Sequence, residues 1–192
     1  KNQIANGLAD AFTHVLEQYT TYPVNAMIQD RFAEGILQSL VDVAPDILKD
    51  ASDYDAAANF MWSCTMALNG LITQGVPSDW AIHMMGHELT ALYGIDHACT
   101  LAIITKSHYS YNFESKKEKL AQMAERVWDV KDGTPNEKAQ AAIDQIEAFF
   151  HSLGIPTRLS EYTDAYEGTA EILEKRFNDR GWIGIGEHGK IT

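Results

Sequence analysis

Ile4-Ala5-Asn6-Gly7-Leu8-Ala9-Asp10-Ala11-Phe12-Thr13-His14-Val15-Leu16-Glu17-Gln18-Tyr19 is the stretch on which the fold class turns. Ile4, Leu8, Ala11, Phe12, Val15, Leu16 and Tyr19 return at steps of three and four, the period of a helix with one buried face. Pro23 closes the segment, because proline cannot donate to a helical ladder. The same period continues outward. Met27, Phe32, Ile36, Leu37, Leu40 and Val41 form a second apolar face, expected to run up to Pro45. Asp53 is an expected N-cap for a third helix whose apolar face is Ala56, Phe60, Met61, Cys64, Leu68 and Leu71. Gly75, Pro77 and Ser78 then punctuate the chain. A fourth helix is expected from Asp79 to Leu92, stopped by Gly94, and a fifth from His97 to about His108. Ser115 to Val130 reads as a sixth, with Leu120, Met123, Ala124 and Val127 facing inward. Thr134 followed by Pro135 opens a seventh, ended by Gly154 and Pro156, and Gly168 to Phe177 is a short eighth. No run of four or more residues alternates apolar and polar with β-branched enrichment. The chain therefore reads as all-α, a multi-helix bundle, with neither internal repeats nor low-complexity segments.

A chain of 192 residues suggests one domain with a real core, since about 70% of the unfolded surface is buried at this size. Acidic residues number 27 and basic ones 15, for a net charge of -12, which argues against nucleic acid or an anionic membrane as partner. No stretch reaches the roughly 18 apolar residues of a membrane span, and no signal peptide is recognisable at the start. Two cysteines, Cys64 and Cys99, do not make a disulfide framework, so a cytoplasmic location is expected. The chain opens on Lys1 and closes on Gly189-Lys190-Ile191-Thr192, and both ends read as cut from a longer protein.

The chemistry concentrates in histidines. Trp80-Ala81-Ile82-His83-Met84-Met85-Gly86-His87-Glu88-Leu89 and Tyr93-Gly94-Ile95-Asp96-His97 hold three of the seven. His83 and His87, four apart, share a helix face. On one rigid helix His83 and His97 would stand about 21 Å apart, too far to share a metal. A chain reversal at Gly94 brings His97 back within reach, and spacing leaves open which of His83 and His87 it joins. Asp10 and His14 form a second pair at the same four-residue step, a carboxylate and an imidazole aimed one way. One such pair is ordinarily a surface contact. Together with the histidine window it offers three nitrogens and one oxygen, a set suited to Zn²⁺ or Fe²⁺ with a position left for a substrate oxygen.

Two motif matches fail. His87-Glu88-Leu89-Thr90-Ala91 begins like the zinc-peptidase helix, but Ala91 stands where the second histidine belongs. Gly184 to Lys190 resembles a phosphate-binding loop, but Ile191 replaces the magnesium-binding hydroxyl and no strand precedes it. Cys64 and Cys99 read as core thiols, and His108, His151 and His188 as surface or helix-end residues.

The segment from Asn6 to Tyr19 resembles the first metal-ligand helix of the iron-containing (group III) alcohol dehydrogenases, and the His83 to His97 window resembles that family's histidine signature. Asp30-Arg31-Phe32-Ala33-Glu34-Gly35-Ile36-Leu37, Ala67-Leu68-Asn69-Gly70-Leu71 and Ala124-Glu125-Arg126-Val127-Trp128 are similar to its branch of NADPH-dependent aldehyde reductases and butanol dehydrogenases. The resemblance implies that residues 1–192 form the C-terminal helical domain of the dehydroquinate synthase-like fold, without the N-terminal dinucleotide-binding domain and the last helix. It implies Asp10, His14, His83 and His97 as ligands of Fe²⁺ or Zn²⁺. His87 is implied as a residue near the metal and the nicotinamide that helps proton transfer without being a ligand, which makes it the candidate catalytic and cofactor-binding residue. It further implies NAD(P)H as cofactor of the full-length enzyme, a small aldehyde or alcohol as substrate, a homodimer, and no turnover by this chain alone. The rival expectation is a non-catalytic helical interaction domain whose histidines are incidental. A hydrolytic metal centre is a third, disfavoured because Glu88, its one nearby base, lies off the face of His87.

Overall fold

The computed structural model describes residues 2–191; Lys1 and Thr192, the two ends read as cut, lie outside the described residues. The described residues form eight α-helices: α1 (Asn2–Tyr19), α2 (Met27–Lys49), α3 (Tyr54–Leu68), α4 (Ala81–Tyr93), α5 (His97–Tyr111), α6 (Phe113–Val127), α7 (Pro135–Ser152) and α8 (Thr169–Asp179). A 3-10 turn at Leu159–Glu161 and one antiparallel bridge, Ile185 to Ile191, complete the regular structure. No helix of the described residues is long and apolar enough to cross a membrane.

Local chemistry sets the helix ends. Asp53 accepts from the Ala56 N–H, and Thr134 and Glu137 close a reciprocal capping box ahead of Pro135. Gly94 ends α4 in the left-handed region at φ 67°, where a side chain would be strained. The chain then reverses into α5, and the two helices pack closely at Gly86. A Cβ there would stand 2.9 Å from Leu101 Cδ2 and 3.0 Å from Thr100 Oγ1.

α1 is the central element. It packs on α2, α3 and α5, and its apolar stripe is buried almost completely. The Phe12 ring lies 4.6 Å from that of Phe149, tilted by 43°, and 6.2 Å, edge-on, from that of Phe150, which ties α1 to α7. α6 and α7 form a second hairpin.

Apart from helix ends that shift by two or three residues, the structure departs from the sequence reading in four places. α2 does not stop at Pro45 but runs on to Lys49, because Ala44 and Ile47 beside it are buried. Packing there outweighs the roughly 3 kcal/mol a helix-interior proline costs. The buried stripe of α2 is Ala33, Ile36, Leu37, Leu40, Ala44 and Ile47, so Met27 (78% exposed) and Phe32 (46%) face outward. α3 ends at Leu68, and Met61, Leu68 and Leu71 are exposed, its inner face being made by small residues, Ala56, Ser63 and Ala67. His108 stands in the last turn of α5, a helix-end residue as expected, but it is 4% exposed and not at the surface.

Removing the Phe12 ring empties the middle of the α1–α7 contact. Phe12→Ala is expected to lower unfolding stability by about 3–5 kcal/mol, read from urea denaturation midpoints.

Candidate metal centre

α1, α4 and the start of α5 bring the donors together. Asp10 and His14 lie one turn apart on α1, His83 on the first turn of α4, and His97 at the first position of α5. Asp10, His14 and His83 each offer an atom such that all three atoms lie within 4.8 Å of one another. Three imidazole nitrogens surround Asp10 Oδ1: His14 Nδ1 at 3.3 Å, His83 Nε2 at 3.6 Å and His97 Nε2 at 3.8 Å. Yet this buried oxygen has no hydrogen-bond partner among the described residues, and neither has His97 Nδ1. Buried polar atoms are normally paired, so a carboxylate oxygen ringed by nitrogens and bonded to none fits a cation-binding set. His87 stacks on His97 at 4.4 Å with rings nearly parallel, 6.5 Å from the His83 ring, and is exposed.

Electrostatics agree with that geometry. Burial pushes Asp10 up, but the His14 and His83 imidazoles outweigh it and hold the carboxyl well below its ordinary value. Burial pulls His83 down, but the carboxylates of Asp10 and Glu17 raise it to about 9. His97 is driven to about 4 by burial and by His87, His83 and His14, against the pull of Asp10.

Residues not singled out in the sequence frame the centre. Glu17, on the face of α1 shared by Asp10 and His14, is 1% exposed and its carboxylate accepts from His83 Nδ1. The spacing of three from His14 and seven from Asp10 was the available signal. Trp80 stands at φ 61°, a strained setting for a bulky residue. Its ring lies 5.8 Å from that of His14 and 5.5 Å from that of His83. Glu88 is held by the guanidiniums of Arg176 and Arg180, so this carboxylate is not free to act as the base of a hydrolytic centre. Burial and Asp10 push the Cys64 thiol up to about 11, as an unreactive cysteine requires.

A second buried cluster lies under the start of α4. Lys116 Nζ pairs with Asp79 at 2.8 Å and with Glu187 at 2.9 Å, and His108 Nε2 stands 3.7 Å from Asp79. The glycine-flanked turn that resembled a phosphate loop thus presents the Glu187 carboxylate to Lys116. The Ile185–Ile191 bridge closes it.

The profile of the Fe-containing alcohol dehydrogenase family, C-terminal part, matches residues 4–184, and the chain belongs to that family. The chain is 50% identical over 191 residues to the NADPH-dependent aldehyde reductase YqhD of Escherichia coli, which covers 99% of this chain and 49% of that protein. It is 35% identical over 177 residues to a probable NADH-dependent butanol dehydrogenase of Bacillus subtilis, covering 91% of this chain and 46% of that one. The solved substrate- and cofactor-free aldehyde reductase YqhD superposes with a TM-score of 0.96 at 49% identity, over all of this chain and 50% of its own. The chain therefore spans about half the length of the relatives it matches. The all-α architecture is that of the corresponding half of these structures, the butanol dehydrogenase A of Thermotoga maritima included (TM-score 0.88, 24% identity, 98% of this chain and 48% of that one).

The buried cluster makes stability depend on pH. Burial drives His108 below its ordinary 6.5, while Lys116 and His108 together outweigh burial to hold Asp79 low. The unfolded chain therefore takes up protons first at both sites, and stability falls as pH drops below about 6.5. His108→Gln is expected to flatten the fall in urea midpoint between pH 7 and 5. An unchanged slope would exclude His108 as its source.

Proposed function

We propose that this chain is the metal-holding domain of an NAD(P)H-dependent alcohol dehydrogenase or aldehyde reductase. In this reading Asp10, His14, His83 and His97 hold one divalent cation, Fe²⁺ or Zn²⁺. The observation that carries it is the convergence of three imidazole nitrogens on the unpartnered Asp10 Oδ1. The membership of the chain in the Fe-containing alcohol dehydrogenase family supports the same assignment.

A bound divalent cation supplies Lewis-acid polarisation of an aldehyde carbonyl oxygen. Hydride is the contribution of the nicotinamide. The residues of this chain do the rest. Asp10 offsets cation charge while the three imidazoles fix direction. Trp80 packs against His14 and His83 and shields them from water. His87, exposed and stacked on His97, holds a proton at its imidazole and delivers it to the substrate oxygen as charge develops there. The described residues contain no strand-helix-strand unit for a dinucleotide, so the other half of the enzyme supplies that surface.

After chelation and reloading with Zn²⁺, elemental analysis is expected to give one metal per chain, and far less in His83→Ala and His97→Ala. Unchanged stoichiometry in both variants refutes the site and leaves a helical interaction domain. The chain alone is expected to show no NADPH oxidation with a short-chain aldehyde. Measurable turnover would overturn the view that the nicotinamide surface lies elsewhere.

A further inference from the structure

The geometry points to Glu17 as the positioning residue of the metal centre, the carboxylate that fixes His83 with its hydrogen on Nδ1 and its Nε2 lone pair aimed at Asp10 and His14. The inference rests on the metal reading above. Three donors meet this one buried carboxylate. The Ile82 N–H donates to Oε1 at 2.6 Å, the His83 N–H to Oε2 at 3.2 Å, and His83 Nδ1 to the same Oε2. A carboxylate accepting from backbone N–H groups has only lone pairs to offer. The ring nitrogen facing it must therefore carry the hydrogen, which leaves Nε2 as the nitrogen from which a cation would displace a proton. That Nε2 lies 3.2 Å from His14 Nδ1 and 3.6 Å from Asp10 Oδ1, on the side where the donors converge.

Glu17 sets the ring in two ways at once. It holds the main chain of His83 through the first turn of α4, and it holds the ring through Nδ1, so both the position and the rotation of the imidazole are determined. The other two imidazoles lack such a carboxylate. His14 Nδ1 lies 2.9 Å from its own helix carbonyl at Asp10, and His97 Nδ1 has no partner among the described residues. His83 is thus the pre-oriented member of the set, and Glu17 is what orients it. Partners of this kind around a metal-bound histidine typically contribute 10–100-fold in metal affinity.

A residue that merely caps α4 would leave metal affinity and ring tautomer untouched, and two measurements use that difference. In the Zn²⁺-loaded chain labelled with ¹⁵N-histidine, long-range ¹H–¹⁵N spectra are expected to show His83 with a hydrogen on Nδ1 and the metal on Nε2. The opposite tautomer overturns the proposal, and this reading needs no variant. By chelator competition, Glu17→Gln is expected to bind Zn²⁺ about 10–100-fold more weakly at unchanged stoichiometry, since its amide N–H₂ would face a donor. Affinity within twofold of the unsubstituted chain, with circular dichroism showing a folded variant, overturns the role of Glu17 and leaves the metal site standing. If the unsubstituted chain and His83→Ala bind Zn²⁺ alike, the metal reading itself falls, and the role of Glu17 with it.

Discussion

A charged carboxylate almost wholly removed from water is the constraint around which this molecule is arranged. Glu17 is buried in the middle of the bundle, where an unpaired charge would cost several kcal/mol. What offsets that cost is the N-terminus of α4, whose first N–H groups lack helical partners and carry the positive end of the helix dipole. α4 has no side-chain cap of its own from Trp80. Its leading N–H groups go instead to Asp79 Oδ1, through Ala81, and to Glu17, through Ile82 and His83. The Asp79 N–H closes the loop by donating to the main-chain oxygen of Glu17 at 2.9 Å. Neither helix can slide along the other without exposing a buried charge or stranding N–H groups, so the register between Asp10–His14 and His83 is set by the same bonds.

The rest of the bundle is pinned back to α1 in the same manner. Asn6 donates to Asp96, the residue before His97, at 2.9 Å, which holds the start of α5. Gln18 donates to the Ala67 carbonyl at 2.7 Å and so holds the end of α3. Just past α1, Thr20 bonds the Tyr109 hydroxyl, and its carbonyl accepts from Lys116, the lysine that also gathers Asp79 and Glu187. Each donor of the centre sits on a helix whose placement is fixed by a polar bond to α1 or its end, while apolar contacts such as Phe12 on Phe149 supply most of the burial. Directional bonds set the geometry and the hydrophobic stripe supplies the driving force.

Much of this was legible in the residues. The helical period marked all eight segments, and Asp53, Thr134–Pro135 and Gly94 marked ends, because caps act through their immediate neighbours. Asp10, His14, His83 and His97 were placed near one another by spacing, one reversal and a family likeness. What failed was whatever depends on the partner across the interface. Met27 and Phe32 obey the period yet point outward, since the stripe of α2 that meets α1 starts one residue later, at Ala33. Pro45 gave a correct local rule that packing overrode. His108 looked isolated because its neighbours, Asp79 and Lys116, are distant in sequence. Glu17 drew no reading for the same reason: the donors that make its burial tolerable lie 65 and 66 positions further on.

That separation bears on how fold and site depend on each other. Asp10 and His83 are brought together only when α1 and α4 have docked, so a cation held between them, as proposed, would bind the folded chain in preference to the unfolded one and link metal to stability. The dependence also runs the other way. Asp10 Oδ1 and His97 Nδ1 are buried without partners, and the low value of Asp10 and the raised value of His83 show how strongly their charges already interact. Those costs are borne beside a Glu17 carboxylate that accepts three hydrogen bonds. Clusters of groups left short of partners are where proteins concentrate function. Here the bonded Glu17 carboxylate and the unpartnered Asp10 Oδ1 are separated by a single imidazole ring, bonded through one nitrogen to Glu17 and presenting the other to Asp10 and His14.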